Sequence, residues 1–177
     1  MRLERGKIYK SKLRLEKEYS ISFDVFPVTF DDDFMSVIHF TVNTESPDGN
    51  SLGDRVPAVF FWRKTDFSGN ESVRTLFFNF NNISFHTTQK YATGSWYHVQ
   101  LEQVESNGKY IFKVSVNGDV IQAVTNKNPE TYEDVTVYTS NPWETALDGY
   151  IYNMHIVSGE QICIYNFVLE FTRWDPK

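Results

Sequence analysis

"SWYHVQLEQVESNGKYIFKVSVNGDVIQAV", residues 95–124, decides the fold. Tyr97, Val99 and Leu101 alternate with His98, Gln100 and Glu102. Tyr110, Phe112, Val114 and Val116 then alternate with Lys113 and Ser115. A period of two marks strands with one buried face. The runs are separated by Ser106-Asn107-Gly108-Lys109 and by Asn117-Gly118. Asn-Gly suits a two-residue hairpin loop because both central positions need positive φ. The stretch predicts three consecutive antiparallel strands in a meander.

The same pattern extends outward. "KEYSISFDVFPV" sets Tyr19, Ile21, Phe23 and Val25 against Ser20, Ser22 and Asp24, a strand ending near Pro27. "TFDDDF" reads as an acidic turn and "MSVIHFTV" as the next strand. A long polar loop, "NTESPDGNSLGD", leads to strands in "VPAVFFW" and "VRTLFFNF", joined by the turn "KTDFSGNES". Downstream, "VTVYTS", "GYIYNMHIV" and "ICIYNFVLEFTRW" add further strands. No stretch has a convincing helical period; "NPETYED" is at most one short turn. The expected fold is all-β, a two-sheet antiparallel sandwich of jelly-roll type.

The 177 residues suffice for one domain with a sizeable core, expected over 1–177. The 16% aromatic content, with 15 Phe and 10 Tyr, favours pleated, half-buried surfaces. A net charge of −6 repels phosphate backbones and disfavours nucleic acid and anionic membrane. No apolar run is long enough to insert into a bilayer. "MRLERGKIYKSKLRL" is charged throughout and lacks the apolar segment of a signal peptide. The single cysteine, Cys163, excludes an internal disulfide and reads as an inert thiol in a strand. Two sequons, Asn70-Glu71-Ser72 and Asn82-Ile83-Ser84, lean toward secretion.

Three motifs stand in order: Gly94-Ser95-Trp96-Tyr97-His98-Val99, then Val116-Asn117-Gly118, then Asp148-Gly149-Tyr150-Ile151-Tyr152-Asn153-Met154-His155-Ile156. Their succession resembles the laminin G-like, concanavalin A-like jelly roll, and modules of that class in secreted proteins of marine invertebrates. The resemblance is strongest over 16–157, with 158–177 expected as additional C-terminal strands. It implies an extracellular recognition module with no covalent chemistry. It places Trp96 in the core. Gly149 is expected to supply backbone freedom for a turn before a late strand.

The chemistry-bearing residues fall into a few patterns. A glycoside hydrolase needs two carboxyls facing one cleft; Glu144 and Asp148 flank one loop, but no paired strand motif accompanies them. His39, His86, His98 and His155 have no nucleophile elbow and no zinc spacing. A calcium ion needs clustered oxygen ligands; Asp31, Asp33, Asp54 and Asp148 are the candidates at the sandwich rim, with Asp32, Asp48 and Asn50 nearby in sequence. Sugars stack on rings and bond to amides and cations, which points to Trp62, Tyr91, Trp143, Tyr150, Arg55 and Asn79, with Asn81 and Asn141 as further partners. The galectin pattern H-x-N-x-R is absent from "HFTVN". The expected function is non-catalytic carbohydrate binding, calcium-assisted at the rim. The alternatives are a protein adhesion or matrix module, and a divergent glycoside hydrolase or lyase. The expected partners are a glycan or an extracellular protein, with apolar edge strands able to pair two copies as a homodimer. The expected location is secreted or extracellular, with the native signal peptide not in this chain.

Overall fold

The computed structural model describes residues 1–45, 51–65, 72–81 and 83–165. Asn70 and Asn82 of the sequons, Asp48, Asn50, Trp174 and any strand beyond residue 165 lie outside them. In chain order the strands are β1 (Ile8–Leu15), β2 (Tyr19–Thr29), β3 (Phe34–Thr41), β4 (Ala58–Thr65), β5 (Ser72–Phe80), β6 (Ile83–His86) and β7 (Tyr97–Ser106). They continue as β8 (Lys109–Val116), β9 (Asp119–Asn126), β10 (Tyr132–Tyr138), β11 (Thr145–Ala146), β12 (Asp148–Ser158) and β13 (Gln161–Tyr165). Among the described residues there is no helix.

These strands make two sheets. One has six strands in the order β13-β12-β2-β7-β8-β9. The other has seven, β1-β10-β3-β4-β5-β6, with the short β11 beside β3. The meander read from residues 95–124 is β7-β8-β9. Asn107 and Gly108 have φ of 53° and 73°, and Asn117 and Gly118 have φ of 52° and 87°. Those values meet the requirement that selects Asn-Gly for tight hairpins.

Period two then sorts the side chains. In β2, Tyr19, Ile21, Phe23 and Val25 are buried, while Ser20, Ser22, Asp24 and Phe26 face outward. Phe112 of the six-stranded sheet stacks on Phe80 of the other, with centroids 4.6 Å apart and planes 11° from parallel. Such ring pairs add roughly 0.5–1.5 kcal/mol beyond the area they bury. A second chain of rings, Phe30–Phe61–Tyr91–Tyr97, closes the core at one end. Cys163 lies half-buried in β13 against the core.

Three features depart from expectation. β1 arises from the charged N-terminal stretch. Its register against β10 slips three times and Lys12 has φ of 56°, so only Leu13 and Leu15 show the buried pattern. Ahead of it, Met1 to Leu3 add to the edge of β12. The Leu3 amide donates to the Gly149 carbonyl at 2.9 Å, and the Ile151 amide donates to the Met1 carbonyl at 2.8 Å.

Gly149 corrects the reading of a flexible turn. Its φ is not positive; β12 meets β2 there at a bulge, where Asp148 pairs with Thr29 and Gly149 with Pro27. A Cβ at this position would stand 2.5 Å from the Phe26 carbonyl oxygen. Close backbone approach, not turn freedom, demands the glycine. Gly149→Ala is expected to cost about 1–3 kcal/mol, the usual range for overpacking. It should lower the urea midpoint without changing the slope; a midpoint equal to wild type would show that β2 and β12 separate freely.

Candidate functional site

The sequence holds two Phe doublets, Phe60-Phe61 and Phe77-Phe78, on neighbouring strands. Alternation sends Phe61 and Phe78 into the core and turns Phe60 and Phe77 outward. Register then assembles a strip on the outer face of the seven-stranded sheet. Phe34 pairs with Trp62, Ser36 with Phe60, Phe60 with Phe77, and Phe77 with His86. Phe34 stacks on Phe60 at 4.3 Å and 20°. Trp62 meets Phe77 edge-on at 5.7 Å and lies 4.1 Å from the His86 ring. Trp62 is 37% exposed, whereas Phe60 is fully covered. The strip thus has a ring floor and an accessible indole at one side.

A polar group borders it. The Arg55 guanidinium lies 5.1 Å over the Phe60 ring, a cation–π arrangement, and 3.9 Å from a Glu144 carboxylate oxygen. Trp143 packs against His39 at 5.6 Å and edge-on to Tyr138 at 5.5 Å. Asn79 is buried beside the strip, its amide donating to Ser84 Oγ at 2.6 Å.

His39 fixes the loop that carries Trp143 and Glu144. The Asn141 Oδ1 accepts from the Trp143 and Glu144 amides, at 3.1 and 2.8 Å. Its Nδ2 must therefore face His39 Nδ1, 2.8 Å away, and donate to it. His39 Nε2 donates to the Asp54 carbonyl at 2.7 Å. One ring nitrogen accepts and the other donates, which is neutral imidazole. Burial, helped by the charge on Arg55, holds the His39 pKa down to about 4, against the ordinary 6.5.

The other residues named from sequence fall elsewhere. Trp62, Trp143, Arg55 and Asn79 come together on this face. Tyr91 is buried between Phe61 and Tyr97. Tyr150 stands on the outer face of the six-stranded sheet beside Phe26. Trp96 corrects its core assignment: it is 48% exposed, resting on Phe26 at 5.2 Å. Period two carried back one residue from buried Tyr97 turns Trp96 to the side of His98, so the local pattern, and not the resemblance, gives its place. Phe34, Phe60 and Phe77 were not singled out from sequence, and His86 only as a histidine without catalytic spacing; the two doublets were the signal for Phe60 and Phe77.

The acids are held by separate partners, except that Asp31 and Asp148 meet at Thr29. Asp31 and Asp148 both accept from the Thr29 hydroxyl, at 2.8 and 3.1 Å, and Asp148 also pairs with Arg2 at 3.1 Å. Asp33 pairs with Arg63 at 3.2 Å. Asp32 accepts from Thr145 at 2.5 Å; that bond, then one from the Asp33 amide, holds its carboxyl below the usual range. Buried Asp54 accepts from Asn43 Nδ2 at 3.2 Å and from the Ser51 amide at 3.1 Å. Among the described residues no group of three or more His, Cys, Asp or Glu side chains is placed to hold a metal ion.

This geometry stands on a fold shared with known proteins. No protein-family model and no curated protein sequence matches the chain. Among solved structures, the chain is similar to a native heptameric SAP-like pentraxin from Limulus polyphemus, with a TM-score of 0.56 and 12% identity over 84% of this chain and 67% of that one. It is similar to domain 4 of AbnA, an extracellular arabinanase from Geobacillus stearothermophilus in complex with arabinotriose. There the TM-score is 0.53 and the identity 18%, over 86% of this chain and 66% of that one. A legume lectin-like domain from Entamoeba histolytica gives 0.52 and 9%, over 89% and 82%. The chain thus spans about two thirds of the length of the first two. Its fold is the concanavalin A-like jelly roll that these chains share.

The neutral His39 sets a pH dependence. The unfolded chain protonates this histidine near 6.5 and the folded one only near 4, so between those values the unfolded state binds more protons. The stability contribution is fully present above about pH 6.5 and falls as pH drops toward 4, by as much as about 3 kcal/mol. Urea unfolding at stepped pH should show this slope, and His39→Gln should flatten it. An unchanged slope in the variant would assign acid lability to the carboxylates instead.

Proposed function

We propose that this chain is a non-catalytic carbohydrate-recognition module that reads a glycan on the outer face of the seven-stranded sheet. The observation that carries the reading is the exposed Trp62 at the side of a packed ring strip that ends in the Arg55–Glu144 pair. The apolar face of a pyranose stacks on Trp62, Phe34 and Phe77. Its hydroxyls turn toward the guanidinium and carboxylate, which together offer donors and acceptors. The rings of the floor already pack on one another, which limits the ordering cost of binding. Support of a coarser kind comes from two chains of the same fold, one a legume lectin-like domain and the other holding arabinotriose. An extracellular location fits this reading.

Hydrolysis is the weaker reading. Glu144 faces Arg55, while Asp148 faces Arg2 and Thr29, so the two acids are committed to different partners. Acid–base cleavage requires two carboxyls turned to one cleft and free to act together. Among the described residues Asp31, Asp33, Asp54 and Asp148 form no group placed to hold a metal ion, and no contact in the proposal runs through a metal. A melt in millimolar calcium should match one in EDTA to within a degree. A rise of several degrees that EDTA reverses would put a metal in the folded state.

Affinity electrophoresis in gels containing arabinan, xylan, laminarin, galactomannan or dextran tests the binding face. Trp62→Ala should reduce retardation by at least one of these, corresponding to a loss of about tenfold or more, as usual for a buried aromatic anchor. Wild-type mobility unchanged by every gel, with capture of an extracellular protein instead, would favour the adhesion reading.

A further inference from the structure

The outer face of the six-stranded sheet carries a second constellation of rings and polar groups. Two depressions meet at a ridge made by Trp96 and Tyr152, whose rings lie 6.4 Å apart at 61°. One, of about 230 Å³, is apolar and lined by Met1, Phe26, Trp96, Tyr150 and Tyr152. The other, of about 460 Å³, sets Asp24, His98 and Asn117 beside the same two rings. The larger lies within the usual volume of small-ligand sites.

The polar side is built, not incidental. Asp24 and His98 are direct partners across β2 and β7, and His98 Nδ1 lies 2.7 Å from Asp24 Oδ1. Asn153 donates to Asp24 Oδ2 at 2.8 Å. Tyr152 and Asn153 are consecutive, and in a regular strand their side chains would point to opposite faces. Here β12 slips register against β2 between Tyr152 and His155, and Asn153 adopts φ of 47°. That bulge brings the Asn153 amide onto the face that Tyr152 already occupies. A non-glycine residue in left-handed geometry in the middle of a strand carries strain, and bulges of this kind re-aim side chains beside binding sites. The Asn117 Oδ1 accepts from the His98 amide at 2.8 Å and fixes the far wall.

We infer that this face is a second saccharide site, so that one copy of the chain holds glycan on both of its opposed sheet faces. A pyranose unit seats its apolar face against Trp96 and Tyr152. Its hydroxyls take the Asp24 carboxylate, which Asn153 holds in place, the His98 imidazole and the Asn117 side chain, a set offering both donors and acceptors. The apolar depression beyond the ridge takes the next unit or an aglycone. A single chain then bridges two glycan strands, and on a dense polysaccharide the second contact is made at high effective concentration. The chemistry of the ligand rests on the proposed function; the location and the pairing of sites do not.

The test uses the full chain and the same five polysaccharide gels, with Trp62→Ala, Trp96→Ala and the double variant. Trp96 is about half exposed, so its removal should leave the fold intact, which a thermal melt checks. His98→Ala, at a side chain 49% exposed, gives a second, smaller perturbation of the same site. The expected result is partial retardation for each tryptophan variant, none for the double variant, and weaker binding for His98→Ala. Retardation of Trp96→Ala and His98→Ala equal to wild type, with loss in Trp62→Ala, would overturn the second site and leave the first. Loss in Trp96→Ala alone would keep this site and remove the one on the seven-stranded sheet. Wild-type mobility unaffected by all five gels would overturn both.

Discussion

Two facing sheets can bury only the side chains that point between them. That constraint governs this molecule, because 16% of its residues are aromatic and the space between the sheets cannot hold every ring. Alternation decides which rings go inside. Phe23, Phe61, Phe78, Phe80 and Phe112 fill the core, while Phe60 and Phe77, one residue from core positions, are turned to the opposite side. The outer faces are therefore aromatic as a consequence of the strand period. Selection could then tune which of those rings stay bare.

The two faces solve this in different ways. On the seven-stranded sheet the rings pack on each other and on Arg55, so Phe60 is as covered as a core residue although it points away from the core. On the six-stranded sheet the rings are sparser and separated by hydrogen-bonded polar groups. His39 and Asn141 tie the first arrangement to the loop above it. The Asn-Pro-Trp-Glu sequence at 141–144 looks like an ordinary turn, but Asn141 spends its oxygen on the loop and its nitrogen on His39. The loop is thereby tied to His39 of β3.

Much of this was legible in the sequence. The meander, the course of β2 and the inward residues of β7 and β8 follow from period two and Asn-Gly alone, because both are local rules with few exceptions. β1 was not legible because its bulges against β10 break the period before a pattern can accumulate. Of the predicted ligand residues, Trp62, Trp143, Arg55 and Asn79 converge, but Tyr91 and Tyr150 do not. Tyr91 lies between strands, where no period applies, and is buried; for Tyr150, alternation says that a side chain leaves the core but not which of two sheets the strand joins. Gly149 failed for a related reason: it depends on what the neighbouring strand does at one point, and pairing between distant segments carries no local signal. Trp96 was legible from alternation, since its neighbour Tyr97 points inward; the resemblance, not the period, put it in the core.

The strap formed by Met1 to Leu3 has a practical corollary. It completes the edge of β12 and places Met1 in the wall of the apolar depression beside Trp96 and Tyr150. Anything joined ahead of Met1 emerges at the mouth of that depression. A bulky fusion partner on a short tether would shade one face of the molecule and spare the other. The choice of affinity handle would then decide how many binding faces an assay sees.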